Sequence, residues 1–426
     1  MPNLKRGGVF MYKKVLLFLG IVVLTIAVVA APIKVILWYS QTGIYSKTLL
    51  DIVKEFNEIH KGEIEVEAVY TGSYTNTMQK LLAAMVSGDL PTIAQIEQSR
   101  VGQFIEGGVI QSLEGFIAKD PEFKKQLKDF FPRLLAACKY YGKLYGFPLN
   151  VSTPILYYNK DLFRKAGLDP NKPPKTWSEL YEYAKKIAAL GDDIYGYRVD
   201  AVDWLIEAYI WQFGGEIISE DGRKMLIDNP GTLEAWKFFQ KMVKEKIAVF
   251  SGGKAGNALD LSGKIGMVVR STGSLGYLRK NVKWDLGATL MPYEKKAVVP
   301  IGGGNLYIFA TRPEKEKKAA WEFLKFVVKP ENTLKWALST GYMASRISAY
   351  NSPELQKLIK EDPRVGITYI QLEKRARRRP WFGPYREILA EITSGWQKVL
   401  TDPTVDPESV IKEVQKKTQQ ILDDYY

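Results

Sequence analysis

Residues 150–163 read NVSTPILYYNKDLF. Small polar residues and Pro154 give way to an apolar, doubly aromatic run from Ile155, which Asn159-Lys160-Asp161 ends. An apolar run bounded by turn residues reads as a buried strand. Proline disfavours the α region at the residue before it, so Thr153 is held extended ahead of that strand. The residues alone leave the Ser-Thr-Pro junction open as scaffold, hinge or ligand site. Downstream, Pro173-Pro174-Lys175 leads into Thr176-Trp177-Ser178-Glu179, a T-x-x-E capping box for a helix with Leu180, Tyr183, Ile187 and Leu190 on its apolar face.

Upstream of the junction the chain alternates strands with helices. IKVILWYS, from Ile33, is strand-like, and Ser46 is expected to cap a helix carrying Leu49, Ile52, Val53, Phe56 and Ile59. IEVEAVY follows from Ile64, then a helix through Met78, Leu81, Leu82 and Met85, then TIAQI after Pro91. Strand, helix, strand, helix, strand implies βαβ units and a mainly parallel sheet, with ligands collecting beyond the carboxyl ends of the strands. Those ends carry Trp38-Tyr39-Ser40, Tyr70 to Tyr74, and Glu97-Gln98-Ser99. Further on, KIGMVVR, WDLGATLMP and GGGNLYIFAT read as strands, and Thr311 to Glu314 reads as a second capping box. A hairpin fits 140–148, and helices broken at Pro363, Pro380, Pro403 and Pro407 fill the tail.

Length and composition bound the function. At 426 residues the chain exceeds the size at which one core stops growing, about 250–300 residues, so two compact units are expected. Basic residues precede an apolar run from Val15 to Ala31, which reads as a signal peptide over 1–30 with cleavage after Ala30, or as an uncleaved membrane anchor. Either form places the bulk of the chain outside the cytoplasm, in the periplasm or an equivalent extracytoplasmic space. Cys138 is the only cysteine and His60 the only histidine, which argues against disulfides, a His-Cys zinc cluster and most histidine-based hydrolase chemistry. No cofactor and no metal is implied. The net charge of +13 is read as solvated surface, as is KRARRRPWF at 374–382, and no nucleic-acid partner is expected.

Polar-aromatic clusters stand at the expected strand ends: YTGSY, NVST, RSTGS and PIGGG. Each by itself is an ordinary turn. Together with Trp38, Trp204 and Tyr342 they suggest a cleft for a small polar molecule, since aromatic faces pack on the C–H surfaces of sugars and glycines let the backbone approach closely. SGGKAGNA lacks phosphate-loop spacing, and the glycine run at 302–304 precedes a strand rather than a helix. A secreted carbohydrate-processing enzyme with a carboxylate pair is the alternative, although no close carboxylate pair stands isolated in an apolar context.

The segment YYNKDLFRKAGLDPNKPPKTWSELYEYAKKI, with WYSQTG, YTGSYTN, GDLPTIAQIE, MVVRSTGSL, IGGGNLYIFA and KPENTLKWALSTGY in the same order, resembles the extracellular solute-binding proteins (family 1, carbohydrate type) of ABC importers. Within them the resemblance is strongest to the branch that binds glycerol 3-phosphate. It implies an α/β, two-lobe periplasmic-binding-protein fold of type II, with lobe 1 formed by 32–147 plus 292–340 and lobe 2 by 148–291 plus 341–426. Hinge crossovers are implied near 147–151, 286–291 and 340–343. The implied function is to capture a carbohydrate or polyol phosphate as a monomer by hinge closure and deliver it to a membrane permease. Ser152 then faces the cleft while Pro154 stiffens a crossover. By the same resemblance Tyr74, Ser271, Gly303 and Tyr342 match ligand contacts and Trp204 a cleft aromatic. Gln98 stands where the family has an acidic residue, with Glu97 beside it, and Ala201 where it has a tryptophan. The phosphate-binding arginine falls at Arg386 or is replaced by Arg270. Trp38, Tyr39, Ser40, Tyr74, Gln98, Ser152, Trp204, Ser271, Gly303, Tyr342 and Arg386 are the expected ligand residues.

Overall fold

The computed structural model describes residues 31–426, and the expected signal segment lies outside the described residues. Ten strands build the two main sheets: β1 (Ile33–Tyr39), β2 (Ile64–Tyr70), β3 (Ile93–Glu97), β4 (Gly146–Ser152), β5 (Pro154–Asn159), β6 (Tyr195–Val199), β7 (Ala248–Phe250), β8 (Ile265–Ser271), β9 (Leu286–Leu290) and β10 (Gly302–Ile308). The first sheet has the order β2-β1-β3-β10-β4, the second β9-β5-β8-β6-β7. β1 runs parallel to β2 and β3, as the βαβ reading requires, while β10 is antiparallel to both of its neighbours. Its start therefore lies at the edge where β3 and β4 end, with Gly304 opposite Glu97 and Gly302 opposite Ser152.

Helices cover both sheets because their apolar faces recur at helical spacing. The helix Gly43–Ile59 buries Leu49, Ile52, Val53 and Phe56 against β1 and the helix Glu314–Val327, where Phe56 meets Phe323 edge-on at 5.1 Å. Burying each such side chain contributes roughly 1.5–3 kcal/mol. In the second half, Trp177, Tyr209, Trp236, Phe239 and Trp396 form an aromatic core against β6. Thr176 caps the helix Trp177–Ala188 as expected, accepting from the Glu179 amide at 3.0 Å, while the Glu179 carboxylate reaches back to the Lys175 amide at 2.6 Å.

Two local expectations are corrected. The helix expected to start at Ser46 begins at Gly43, since Ser46 Oγ is drawn to Tyr39 Oη at 3.0 Å and is not needed as a cap. Thr311 makes no capping box; Pro313 occupies the N-cap, and Glu314 and Glu316 in the first turn face the helix dipole.

Only Thr153 separates β4 of the first sheet from β5 of the second. Its carbonyl accepts from the Thr272 amide at 2.9 Å, and Pro154, which has no N–H to give, begins β5 where none is needed. Beside this junction the register between β10 and β4 shifts at Gly304/Asn305, leaving Leu149 of β4 as the extra, bulged residue. Gly303 there adopts φ 97°, and a Cβ on it would sit 1.9 Å from the Asn150 carbonyl oxygen. Gly303→Ala should lower unfolding stability by about 2–4 kcal/mol, since strain and close backbone approach coincide. Denaturant titration of the two proteins measures it, and an unchanged midpoint would contradict the bulge geometry.

Candidate functional site

A cavity of about 360 Å³ opens between the sheets at the edge where β3, β4 and β8 end and β10 begins. From the first sheet and its helices come Tyr74, Glu97, Arg100, Asn150, Ser152, Gly302 and Gly303; from the second side come Asp203, Trp204, Ser271 and Arg379, with Tyr342 after the helix Pro330–Thr340.

The polar wall is built before any guest arrives. Ser73 and Asn76 form a capping box that starts the helix Tyr74–Ser87 and sets Tyr74 at its first position. Tyr74 Oη accepts from Asn150 Nδ2 at 2.8 Å and from Gln41 Nε2 at 3.1 Å, while Gln95 Nε2 donates to Asn150 Oδ1 at 2.6 Å. Burial drives the Tyr74 phenol well above its ordinary range, so it stays neutral and its hydroxyl donates to Asn150 Oδ1 at 3.2 Å. On the facing side, Trp204 at the start of the helix Asp203–Gln212 lies against Gly302, where a Cβ would approach its ring to 2.9 Å. Tyr342 packs edge-on to Tyr45 at 5.3 Å, and burial, with Tyr45 beside it, pushes its phenol up to about 12.

The floor is ionic. Arg379, with a side chain 1% exposed, donates through Nε to Glu207 at 2.5 Å, through Nη2 to the same carboxylate at 3.2 Å, and through Nη1 to Glu97. Asp203 lies 3.4 Å from its Nη2. Arg100 donates to Glu97 at 2.6 Å and to Asp203 at 2.8 Å, and Tyr385 Oη donates to Glu207 at 2.6 Å. Three carboxylates thus surround two guanidiniums, an excess of one negative charge if all ionise. Burial pushes the Glu207 carboxyl up to about 7 despite Arg379, whereas for Asp203 burial is outweighed by Arg379 and Arg100 and its carboxyl is lowered.

Among the expected ligand residues, Tyr74, Ser152, Trp204, Ser271, Gly303 and Tyr342 come together in this cavity. The others lie elsewhere. Trp38 packs beside Met78 and Leu81 beneath a helix, Tyr39 bonds Ser46 and tilts against Tyr70 at 5.8 Å, and Ser40 Oγ pairs with Thr77 Oγ1 at 2.7 Å. The helix Tyr74–Ser87 covers Trp38 and Ser40, and the helix Gly43–Ile59 takes Tyr39, so their polar groups are used internally. Gln98 turns away to donate to the Ile301 carbonyl, and Glu97 takes the cavity-facing place. Arg386 lines a neighbouring groove, and Arg270 is tied to Asp260 at 2.6 Å. Sequence reasoning missed Arg100, Asn150, Asp203 and Arg379. The one available signal for Arg379 was Pro380, which a solvated helix would not carry. The basic stretch is accordingly not one exposed helix: the helix Pro363–Arg375 takes only Lys374 and Arg375 and ends before Arg379, and Ala376–Arg377 pairs with Val299–Pro300.

The Glu207 carboxyl is protonated in the folded chain over a window in which the unfolded chain has released its proton. Its stabilising contribution is full below the ordinary value of 4.5 and is lost as pH rises through about 7. Relative to Glu207→Gln, the wild-type unfolding free energy should therefore fall by on the order of 3 kcal/mol between pH 4.5 and 8, read from denaturation at stepped pH. Parallel pH profiles for the two proteins would contradict the excess carboxylate.

Comparison with known proteins fits this geometry. The family model described as "Bacterial extracellular solute-binding protein" matches residues 51–365. The sn-glycerol-3-phosphate-binding periplasmic protein UgpB of Brucella abortus is 30% identical over 365 residues, covering 81% of this chain and 82% of that protein. Among solved structures, UgpB of Mycobacterium tuberculosis in complex with glycerophosphocholine superposes with a TM-score of 0.83 at 26% identity, covering 93% of this chain and 99% of the other. A Thermotoga lettingae solute-binding protein bound with α-D-tagatose gives 0.79 at 25% identity, covering 91% and 99%. These relatives are binding proteins of transporters, so the carbohydrate-processing alternative has no support from them. The two-lobe fold of such proteins is the one observed, with a sheet in each half. The chain belongs to the bacterial extracellular solute-binding proteins and is a substrate-binding component of an ABC importer.

Proposed function

We propose that the chain captures a hydroxylated solute, a carbohydrate or a glycerol 3-phosphate-like compound, in the cavity between its sheets and hands it to a membrane permease. The carrying observation is the composition of the cavity wall, in which neither half has enough groups to hold a guest alone: Tyr74, Asn150 and Gly303 come from one side, Trp204 and Ser271 from the other. Contacts from both sides exist together only in the closed arrangement, so a guest shifts the population toward it. Thr153, between β4 and β5, is the natural pivot. Movement there is confined by its hydrogen bond to Thr272 and by Gln371 Nε2, which donates to the Pro154 carbonyl at 2.6 Å.

In this reading the lobes divide at Thr153 rather than at the expected 147/148, because β4 through Ser152 pairs with β10 in the first sheet: 32–152 with 292–340, and 153–291 with 341–426. The chain acts as a monomer outside the cytoplasm, delivered there by its N-terminal segment. The cavity holds what a sugar or polyol needs: carboxylate and amide acceptors for hydroxyl protons, phenol and serine hydroxyls, and the Trp204 face for C–H surfaces. The glycerophosphocholine and tagatose held by related proteins are both hydroxylated solutes of suitable size.

Trp204→Ala should weaken binding of the captured solute by about 1–3 kcal/mol while leaving thermal unfolding nearly unchanged. Calorimetry against saccharides and glycerophosphodiesters measures this. Small-angle scattering that superimposes with and without the whole panel, together with no titration heat, would refute the proposal.

A further inference from the structure

One segment, between the helices Pro363–Arg375 and Tyr385–Thr401, bears on how far the two halves can part. Both helices belong to the second half, where Leu372 and Tyr385 are buried in the core. The chain between them does not stay there. Ala376–Arg377 pairs with Val299–Pro300, and the Ile301 amide donates to the Arg377 carbonyl at 2.9 Å, so the segment sets out beside the crossing that leads into β10. Trp381 then packs on the apolar cluster of the first half, edge-on to Tyr140 at 5.0 Å. Its carbonyl oxygen lies so close to Gly102 that a Cβ there would sit 1.8 Å away. The Arg378 guanidinium lies 4.5 Å from the Tyr140 ring and 4.8 Å from that of Trp381, adding two cation–π contacts to the dock.

Phe382 turns the other way. It packs on the core of the second half and lies on Gly222, where a Cβ would come within 2.3 Å of its ring. Two consecutive residues are thus pinned to opposite halves. An extended chain gains at most about 3.6 Å per residue, so even with Phe382 pulled free Trp381 and Tyr385 could stand no more than about 14 Å apart. Tyr385 is in turn held by Glu207 at 2.6 Å. The end of the helix Pro407–Tyr425 fastens the same stretch: a Cβ on Gly383 would meet the Tyr425 ring at 2.2 Å, and Tyr426 Oη donates to Glu106 of the first half at 3.2 Å. Undocking would expose the Trp381 ring and strip Arg378 of both aromatic faces, whereas turning about a docked segment exposes neither.

We infer that Arg378–Gly383 is a tether, docked on the first half through Arg378 and Trp381 in both the open and the closed arrangement, that limits how far the halves open. The inference rests on the proposed hinge closure and concerns its amplitude.

Small-angle scattering of the full chain, of Trp381→Ala, and of a variant with three glycines inserted between Trp381 and Phe382 tests it. Trp381 is not among the residues that line the cavity, and the insertion keeps the docking side chains while adding slack. Without solute both variants should show a larger radius of gyration than wild type, and when saturated the same one. Their affinity for whichever of maltose, trehalose, glycerophosphocholine and glycerol 3-phosphate wild type binds best should fall by about three- to tenfold, because the closed form becomes a smaller fraction of the unliganded ensemble. Trp381→Phe, which keeps a docked ring, should restore most of both. If wild type closes on a solute while the folded variants scatter as it does in each state, the tether is refuted and the proposed function stands. If wild type neither closes nor gives titration heat with any of these solutes, both fail. Should Trp381→Ala not fold, the insertion variant decides alone.

Discussion

The buried guanidinium of Arg379 is the constraint on which the arrangement of the site depends. Removing a guanidinium from water costs several kcal/mol unless charge and hydrogen bonds are returned to it. Here they are returned by groups that no single element could supply: Glu97 at the end of β3 in the first sheet, and Asp203 and Glu207 on a helix that follows β6 in the second. Such clusters are seldom more stabilising than an apolar core of the same volume, but they tolerate little misplacement. The ionic floor therefore fixes where the strand end of one half stands against the helix of the other, and the cavity is the space left above it.

The rest of the wall follows from that placement. Gly302 and Gly303 let β10 run close to β4, beside the bulge at Leu149, and let Trp204 lie across from the opposite half. The Tyr74, Asn150, Gln95 and Gln41 hydrogen bonds hold the first-sheet side of the cavity with its donors and acceptors already oriented. Trp381, in the same segment as Arg379, packs edge-on to Tyr140 at 5.0 Å and Tyr141 at 4.7 Å, which anchors that segment to the first half. The proposed closure would thus turn about short, hydrogen-bonded crossings, with the ionic cluster making or breaking as one unit.

Much of this was legible in the residues. The alternation of β1 and β2, the helical spacing after each, and the T-x-x-E start at Thr176 all reflect local physics that the tertiary structure had no reason to override. The site was legible where small residues and aromatics mark a strand end, as at Ser152, Ser271 and Gly303. It was misread where direction mattered. β3 is buried on both faces, so no polar alternation tells whether Glu97 or Gln98 points at the cavity, and a shift of one residue exchanges them. Trp38, Tyr39 and Ser40 end a strand as expected, but helices lie over that end. Arg379 sits in a basic stretch that reads as surface because its partners lie 172 and 282 residues away.

Sequence alone determined that this chain has two α/β halves, and that polar and aromatic groups gather at its strand ends. Periodicity, turn chemistry and proline act over a few residues and are written locally. Only the tertiary structure decided which of those groups share a cavity, and that its arginines are already neutralised. Burial and charge pairing depend on contacts between distant segments, and a residue type carries no record of the partner it will meet.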